Sequence, residues 1–191
     1  MHILKYLFVA LAGLALSSIV WADMPPMIVT SCLTCHGPGG SSVGPATPSI
    51  AAMDKEIFVE MMEEYQTNTI PSTIMNRIVK GYVAKDFEIM ANYFAKQKIT
   101  RYPQVTEPTK VAKGAKLHKK YCEKCHEENG YDNESAILAG QWMPYLQFSL
   151  DDFHSGKREM SKKMKKRLRK MLKKHGEDSL ENIIHFYGSQ K

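Results

Sequence analysis

A five-residue motif that occurs twice constrains this chain more than any other feature of its sequence. CLTCH at residues 32–36 returns as CEKCH at residues 122–126, and the two copies contain all four cysteines. Cys-x-x-Cys-His is the sequence to which c-type haem is covalently attached. Two thiols one helical turn apart reach the vinyl groups on one edge of the porphyrin, and the adjacent histidine offers the iron a neutral imidazole nitrogen. The sequence therefore predicts two covalently bound haem c groups, attached through Cys32, Cys35, Cys122 and Cys125, with His36 and His126 as iron ligands.

Two other chemistries use Cys-x-x-Cys pairs, and the sequence disfavours both. Two pairs that share one zinc ion usually stand about 15–20 residues apart, whereas a domain's length of chain separates Cys35 from Cys122. A thioredoxin-like redox pair needs a βαβ context, and no strand-like run precedes either motif. The histidine that follows each pair favours haem.

Residues 1–22 have the composition of a secretion signal peptide. Lys5 supplies a positive charge, residues 7–20 are apolar, and residues 20–22 (VWA) resemble a cleavage site. The apolar run is short for a membrane span, which needs about 20 residues. We expect a mature chain that starts near Asp23, has no membrane span and is exported to the periplasm, where bacterial c-type haem is attached.

The similarity between the two halves extends beyond the motifs. Each half ends with apolar residues spaced i, i+3, i+4, i+7, the pattern of an amphipathic helix. These residues are Phe87, Met90, Ala91 and Phe94 in the first half, and Leu180, Ile183, Ile184 and Tyr187 in the second. The sequence predicts an all-α fold of two tandem class I cytochrome c domains related by internal duplication, at residues 23–98 and 111–191. Residues 99–110, with two prolines among polar residues, are the predicted linker.

The second axial ligand of each haem iron is predicted from the position of methionines in the two halves. Met75 lies 43 residues after Cys32, and Met164 lies 42 residues after Cys122. We predict both as axial ligands, with Met160 as the runner-up to Met164. Histidine ligation is the alternative in the second half, which contains His118, His154, His175 and His185.

The net charge of +6 is concentrated late in the chain. Residues 157–174 contain eleven lysines and arginines against one acid, Glu159. Apolar residues at helical spacing predict a helix with a cationic exterior, which is either a solvated helix face or a docking surface for an acidic redox partner. Nucleic acid is not an expected partner of an exported haem protein.

The chain resembles the di-haem cytochrome subunit of flavocytochrome c sulfide dehydrogenase. The stretches that carry the resemblance are STIM at 72–75, KGY at 80–82, GAKLH at 114–118 leading into the second motif, ILAGQW at 137–142 and the segment 160–164. The resemblance implies a partner subunit, a flavoprotein with covalently bound FAD that oxidises sulfide. It also implies that this chain takes electrons from the flavoprotein and passes them to a soluble acceptor such as a small cytochrome.

The sequence supports this division of labour and leaves one rival function open. No Gly-x-Gly-x-x-Gly fingerprint follows a strand-like run, so we expect neither FAD binding nor a catalytic residue on this chain. A free di-haem cytochrome that feeds a terminal oxidase shares the duplicated architecture and remains the alternative. A di-haem peroxidase would need an open axial position, which the methionines of both halves disfavour.

Overall fold

The computed structural model describes residues 24–132 and 136–191, and these residues form helices without any β-strand. The predicted signal peptide, residues 1–22, lies outside the described residues. No helix in the described ranges is long and apolar enough to cross a bilayer. In chain order the helices are α1 Met27–His36, α2 Lys55–Thr67, α3 Met75–Ile78, α4 Ala84–Phe94, α5 Pro108–Tyr121, α6 Met143–Ser155, α7 Lys162–His175 and α8 Asp178–Gly188.

The helices pack around two separate apolar cores, one in each half of the chain. The first core is built from α1, α2 and α4, and the second from α5 to α8. The eight residues of the two predicted apolar stripes are all buried, none more than 7% exposed. The all-α, two-domain expectation is therefore confirmed, and we call the two units the first and second domain.

Local sequence signals set several helix boundaries. The Asp54 carboxylate caps α2 by accepting hydrogen bonds from the backbone N–H groups of Glu56 (2.9 Å) and Ile57 (3.1 Å). The short helix α3 begins at Met75, three residues after Ser72. The Ser72 hydroxyl still accepts a hydrogen bond from the N–H of Asn76 at 2.9 Å.

The first helix of the second domain is longer than that of the first domain. α5 begins at Pro108, inside the stretch predicted as linker, and it is 14 residues long against 10 for α1. It crosses α8 closely because Gly114 lacks a side chain. A Cβ atom there would collide with the backbone oxygen of Asn182 and with the Cβ of Phe186.

The segment between the domains packs against the second domain. The Arg101 side chain donates a hydrogen bond to the carbonyl of Ala139 (2.9 Å). The Tyr102 ring stacks on Trp142 with 6.3 Å between ring centroids. The N–H of Thr100 also donates to the Ser41 hydroxyl (2.9 Å) in the first domain. The chain that joins the two domains is thereby fixed beside the loops that follow the two haem motifs, which we call the proximal loops.

Candidate functional site

The first motif occupies the last turns of α1, so that Cys32 and Cys35 lie about one helical turn apart and His36 is the last residue of the helix. His36 is only 8% exposed, and its Nδ1–H donates a 2.8 Å hydrogen bond to the carbonyl of Pro48. This bond fixes the ring and leaves Nε2 available for a metal. Burial lowers the pKa of His36, which favours the neutral imidazole that iron requires.

The second motif follows α5 in a tight turn. The N–H of Cys122 donates to the carbonyl of His118 (2.8 Å), and the N–H of His126 donates to the carbonyl of Cys122 (3.0 Å). Burial, and then the neighbouring His118, lower the pKa of His126. Its Nδ1 atom is buried, and no residue in the described ranges, which omit 133–135, forms a hydrogen bond with it. The two proximal histidines therefore differ in the hydrogen bond made by the ring.

The four cysteines are free thiols. Burial raises the pKa of Cys32, and it raises the pKa of Cys122 to about 11 despite a hydrogen bond from Tyr187. Cys32 borders the first core and Cys122 the second. The motifs therefore do not combine into one four-thiolate zinc site.

These features fit covalent haem at each motif. Within the described residues no disulfide joins the thiols, which have the required spacing, and each motif ends in a largely buried histidine whose lowered pKa favours the neutral form. The unpartnered Nδ1 of His126 does not compete with ligation, because a proximal histidine binds iron through its other ring nitrogen.

The predicted axial methionines occupy different environments. Met75 opens α3, is partly buried and packs against the same core as Cys32. Met164 is half-buried in the first turn of α7, and Met160 is half-buried just before that helix. Neither is among the residues described as packing against the second core, where α7 contributes Met171, 2% exposed. The choice between Met164 and Met160 stays a prediction.

All four alternative histidine ligands have other partners. His154 lies 3.7 Å from the Glu177 carboxylate, and His175 contacts the Tyr121 hydroxyl at 3.2 Å. His185 accepts a hydrogen bond at Nδ1 from the N–H of Glu107 (3.1 Å). These contacts favour structural roles for the three side chains.

His118 is buried in the second core, 1% exposed, although the sequence pattern marked it only as an alternative iron ligand. Its Nδ1 atom lies 2.9 Å from the Tyr187 hydroxyl, which also hydrogen-bonds Cys122. The sequence contained a signal for this arrangement, because the first half has apolar residues, Ile28 and Phe94, at the corresponding positions. Only the second domain therefore connects its first cysteine to a buried polar pair.

A strongly basic groove lies between α7 and the second motif, and we call it the cationic groove. The Cys125 side chain is part of its wall, and Tyr121 contributes an aromatic ring. The other lining residues are Lys120, Lys124, Lys163, Lys166, Arg167, Lys170 and Lys174. The edge of the second haem motif thus lies among seven cations.

Comparison with known proteins places this geometry in a family. The chain matches no protein-family profile. It is 30% identical over 145 residues to cytochrome c4 of Azotobacter vinelandii, covering 66% of this chain and 69% of that protein. It is 33% identical over 64 residues to the cytochrome subunit of sulfide dehydrogenase of Chlorobaculum tepidum, covering 34% of this chain and 57% of that protein.

Comparison with solved structures finds a similar fold in a protein of the same name. The crystal structure of reduced recombinant cytochrome c4 from Pseudomonas stutzeri superimposes with a TM-score of 0.73 at 23% identity, covering 85% of this chain and 95% of that one. The architecture is accordingly that of tandem class I cytochrome c domains. With two haem attachment motifs on two such domains, the chain belongs to the di-haem cytochrome c4 family.

Proposed function

We propose that this protein is a periplasmic di-haem subunit that takes electrons from an FAD-containing flavoprotein oxidising sulfide and passes them to a soluble acceptor. The observation that carries the proposal is the similarity to the cytochrome subunit of sulfide dehydrogenase, combined with haem motifs on two separate cores. Oxidation of sulfide to the zero-valent level releases two electrons, and two one-electron sites match that number.

Each site is proposed to hold one haem c, which supplies reversible one-electron chemistry when bound. In the first domain Cys32 and Cys35 form the thioethers, and His36 and Met75 are the axial ligands. In the second domain the corresponding residues are Cys122, Cys125, His126 and Met164. The chain's part is to fix these ligands and to exclude water.

The two proximal histidines support an order of transfer from the first domain to the second. The bond from His36 to the Pro48 carbonyl makes that imidazole a better electron donor, which stabilises oxidised iron and lowers the reduction potential. Within ranges 24–132 and 136–191, His126 has no such bond at Nδ1. The first site should therefore have the lower potential and pass electrons onward.

The exposed apolar residues of the first domain support a permanent partner there. Seven of the nine large apolar side chains exposed in the described ranges belong to that domain. Ile74 and Ile78, 47% and 42% exposed, flank the proposed ligand Met75. A lasting subunit contact buries apolar surface and has few charges at its centre.

The cationic groove supports a transient acceptor at the second domain. Residues 111–191 contain seventeen lysines and arginines against eleven acids, whereas residues 23–98 contain six against eight. A positive surface around Cys125 attracts an acidic protein at long range and allows rapid dissociation at physiological salt. This difference in charge between the two domains favours the second domain as the one from which electrons leave.

Co-purification from the native host tests the partner. We expect the cytochrome to elute with a flavin-containing subunit, and we expect sulfide to reduce the haems of that complex but not those of the isolated chain. A lone cytochrome without flavin would contradict the proposal.

A free di-haem carrier that feeds a terminal oxidase is the second candidate. The longer alignment to cytochrome c4 favours it, because that match extends over 145 residues and the sulfide dehydrogenase match over 64. The same purification separates the two functions. The carrier would be monomeric, flavin-free and oxidised directly by membranes that contain the oxidase.

A further inference from the structure

A glutamine of the second domain makes a reciprocal pair of hydrogen bonds with the backbone of the first. The Oε1 atom of Gln141 accepts from the N–H of Ser49 (2.9 Å), and its Nε2 donates to the carbonyl of Ser49 (3.0 Å). Both residues are buried, 4% and 6% exposed. The N–H of Trp142 also donates to Oε1 (3.2 Å), which fixes the orientation of the amide.

The peptide group contacted by Gln141 is the one that holds the proximal histidine of the first motif. The N–H of Ser49 and the carbonyl of Pro48 belong to a single planar peptide unit. The carbonyl accepts from His36 Nδ1 (2.8 Å) while the N–H donates to Gln141. One peptide therefore joins a ligand of the first domain to a side chain of the second.

We propose that Gln141 is a positioning residue for the first haem site and acts through the Pro48–Ser49 peptide on His36. Two physical effects act in the same direction. Peptide planarity means that fixing the N–H also fixes the direction of the carbonyl. When Gln141 accepts a hydrogen bond from the N–H of this peptide, the bond polarises the peptide group. The carbonyl at the other end of the peptide then becomes a stronger acceptor.

The consequence is that a residue of the second domain controls the reduction potential of the first haem site. A stronger bond from His36 to Pro48 raises the electron donation of the imidazole and lowers the reduction potential of the first site. Within the described residues the Gln141 amide contacts the Ser49 backbone and the N–H of Trp142, and it makes no hydrogen bond to His126. The inference rests on haem ligation by His36 and is independent of the flavoprotein partner.

The test compares two interdomain variants in the full-length holoprotein. Gln141→Met retains the length of the side chain but cannot accept from Ser49. Trp142→Phe is the matched control, because it removes the bond from the indole N–H to the Ser42 carbonyl (3.0 Å) at the same interface without touching the Pro48–Ser49 peptide. Mass spectrometry first establishes that both haems are attached, so that a failure of haem attachment is recognised separately.

Spectroelectrochemical titration and NMR of the histidine ring proton give the readouts. We expect Gln141→Met to raise the potential of the first haem and to speed solvent exchange of the His36 Nδ1 proton several-fold. The second haem should keep its potential, and Trp142→Phe should leave both quantities unchanged. Equal shifts in the two variants, equal shifts at both haems, or no shift in Gln141→Met would each overturn the proposal.

If Gln141→Met does not fold, a second variant, Gln141→Glu, tests the same proposal. Gln141→Glu retains an acceptor for the N–H of Ser49, replaces the donor arm by an oxygen, and adds a negative charge when it is ionised. We expect the first haem to keep a potential at or below that of the wild type, with His36 proton exchange unchanged. A raised potential with faster exchange would overturn the proposal, because the acceptor arm would then be irrelevant.

Discussion

The cationic groove allows a charge-reversal experiment with a matched control on the same helix. Lys166 and Lys170 line the groove, whereas Lys165 and Arg169 do not. The double variant Lys166→Glu/Lys170→Glu leaves five cations against two carboxylates in the lining. Lys165→Glu/Arg169→Glu changes the net charge of the protein by the same amount and leaves the lining intact.

The size of the effect follows from the field that the groove can generate. Electrostatic steering raises association rates by about 10–10³-fold, so removing more than half of the groove's net charge should slow acceptor reduction about tenfold at low salt. The Debye length is about 30 Å at 0.01 M and about 3 Å at 1 M ionic strength. The difference between variant and wild type should therefore disappear at high salt.

Stopped-flow mixing of the reduced protein with an acidic small cytochrome measures the rate from haem absorbance. Ferricyanide, a small anion, serves as a second acceptor that senses the field without docking. The control variant should slow both reactions only slightly, and the flavoprotein complex should survive either change. Equal slowing by the two double variants would refute the role of the groove, and a rate insensitive to salt would refute electrostatic docking itself.

Further expected outcomes concern the ligands and the core. Mass spectrometry of the mature protein should show two haem additions and no free thiol; one haem or bound zinc would contradict the assignment of the motifs. Met75→Ala and Met164→Ala should each abolish the Met/His spectrum of one haem and lower its potential, within the roughly 0.8 V that axial ligands control. Loss of the second signal in Met160→Ala alone would make Met160 the ligand. Gly114→Ala should lower the free energy of unfolding by about 1–3 kcal/mol, measured by urea denaturation, because its Cβ overpacks the α5–α8 crossing. Burial lowers the pKa of His118 below 6.5, so the unfolded chain binds a proton that the folded chain excludes. Stability should therefore fall as the pH drops below 6.5, and His118→Phe should flatten this dependence in denaturation curves.

Several features of this protein could be predicted because their causes are local. The apolar stripe that includes Phe87 and Phe94 is buried as its helical spacing required. Asp54 caps α2 because its side chain reaches backbone groups two and three residues away. The haem motifs are also local features, because five consecutive residues contain both cysteines and the histidine that haem attachment requires.

Other features depend on residues far apart in the chain. The sequence pattern did not separate Lys166, which lines the groove, from Lys165, which does not, because the packing of α7 against α5 decides which side faces Cys125. It also offered His118 as a possible ligand, whereas the structure pairs its ring with Tyr187, 69 residues away.

The sequence by itself determined the number of haem motifs, the identity of their cysteines and histidines, and the repeated helices that enclose them. Short-range geometry, the helical period and the chemistry of the side chains are enough for those conclusions. Only the tertiary structure decided what surrounds each proximal histidine. The Gln141–Ser49 pair joins residues 92 positions apart, and no local pattern marks a glutamine that will meet one particular peptide. Such a contact exists because the two domains, each folded around its own core, bring their proximal loops together.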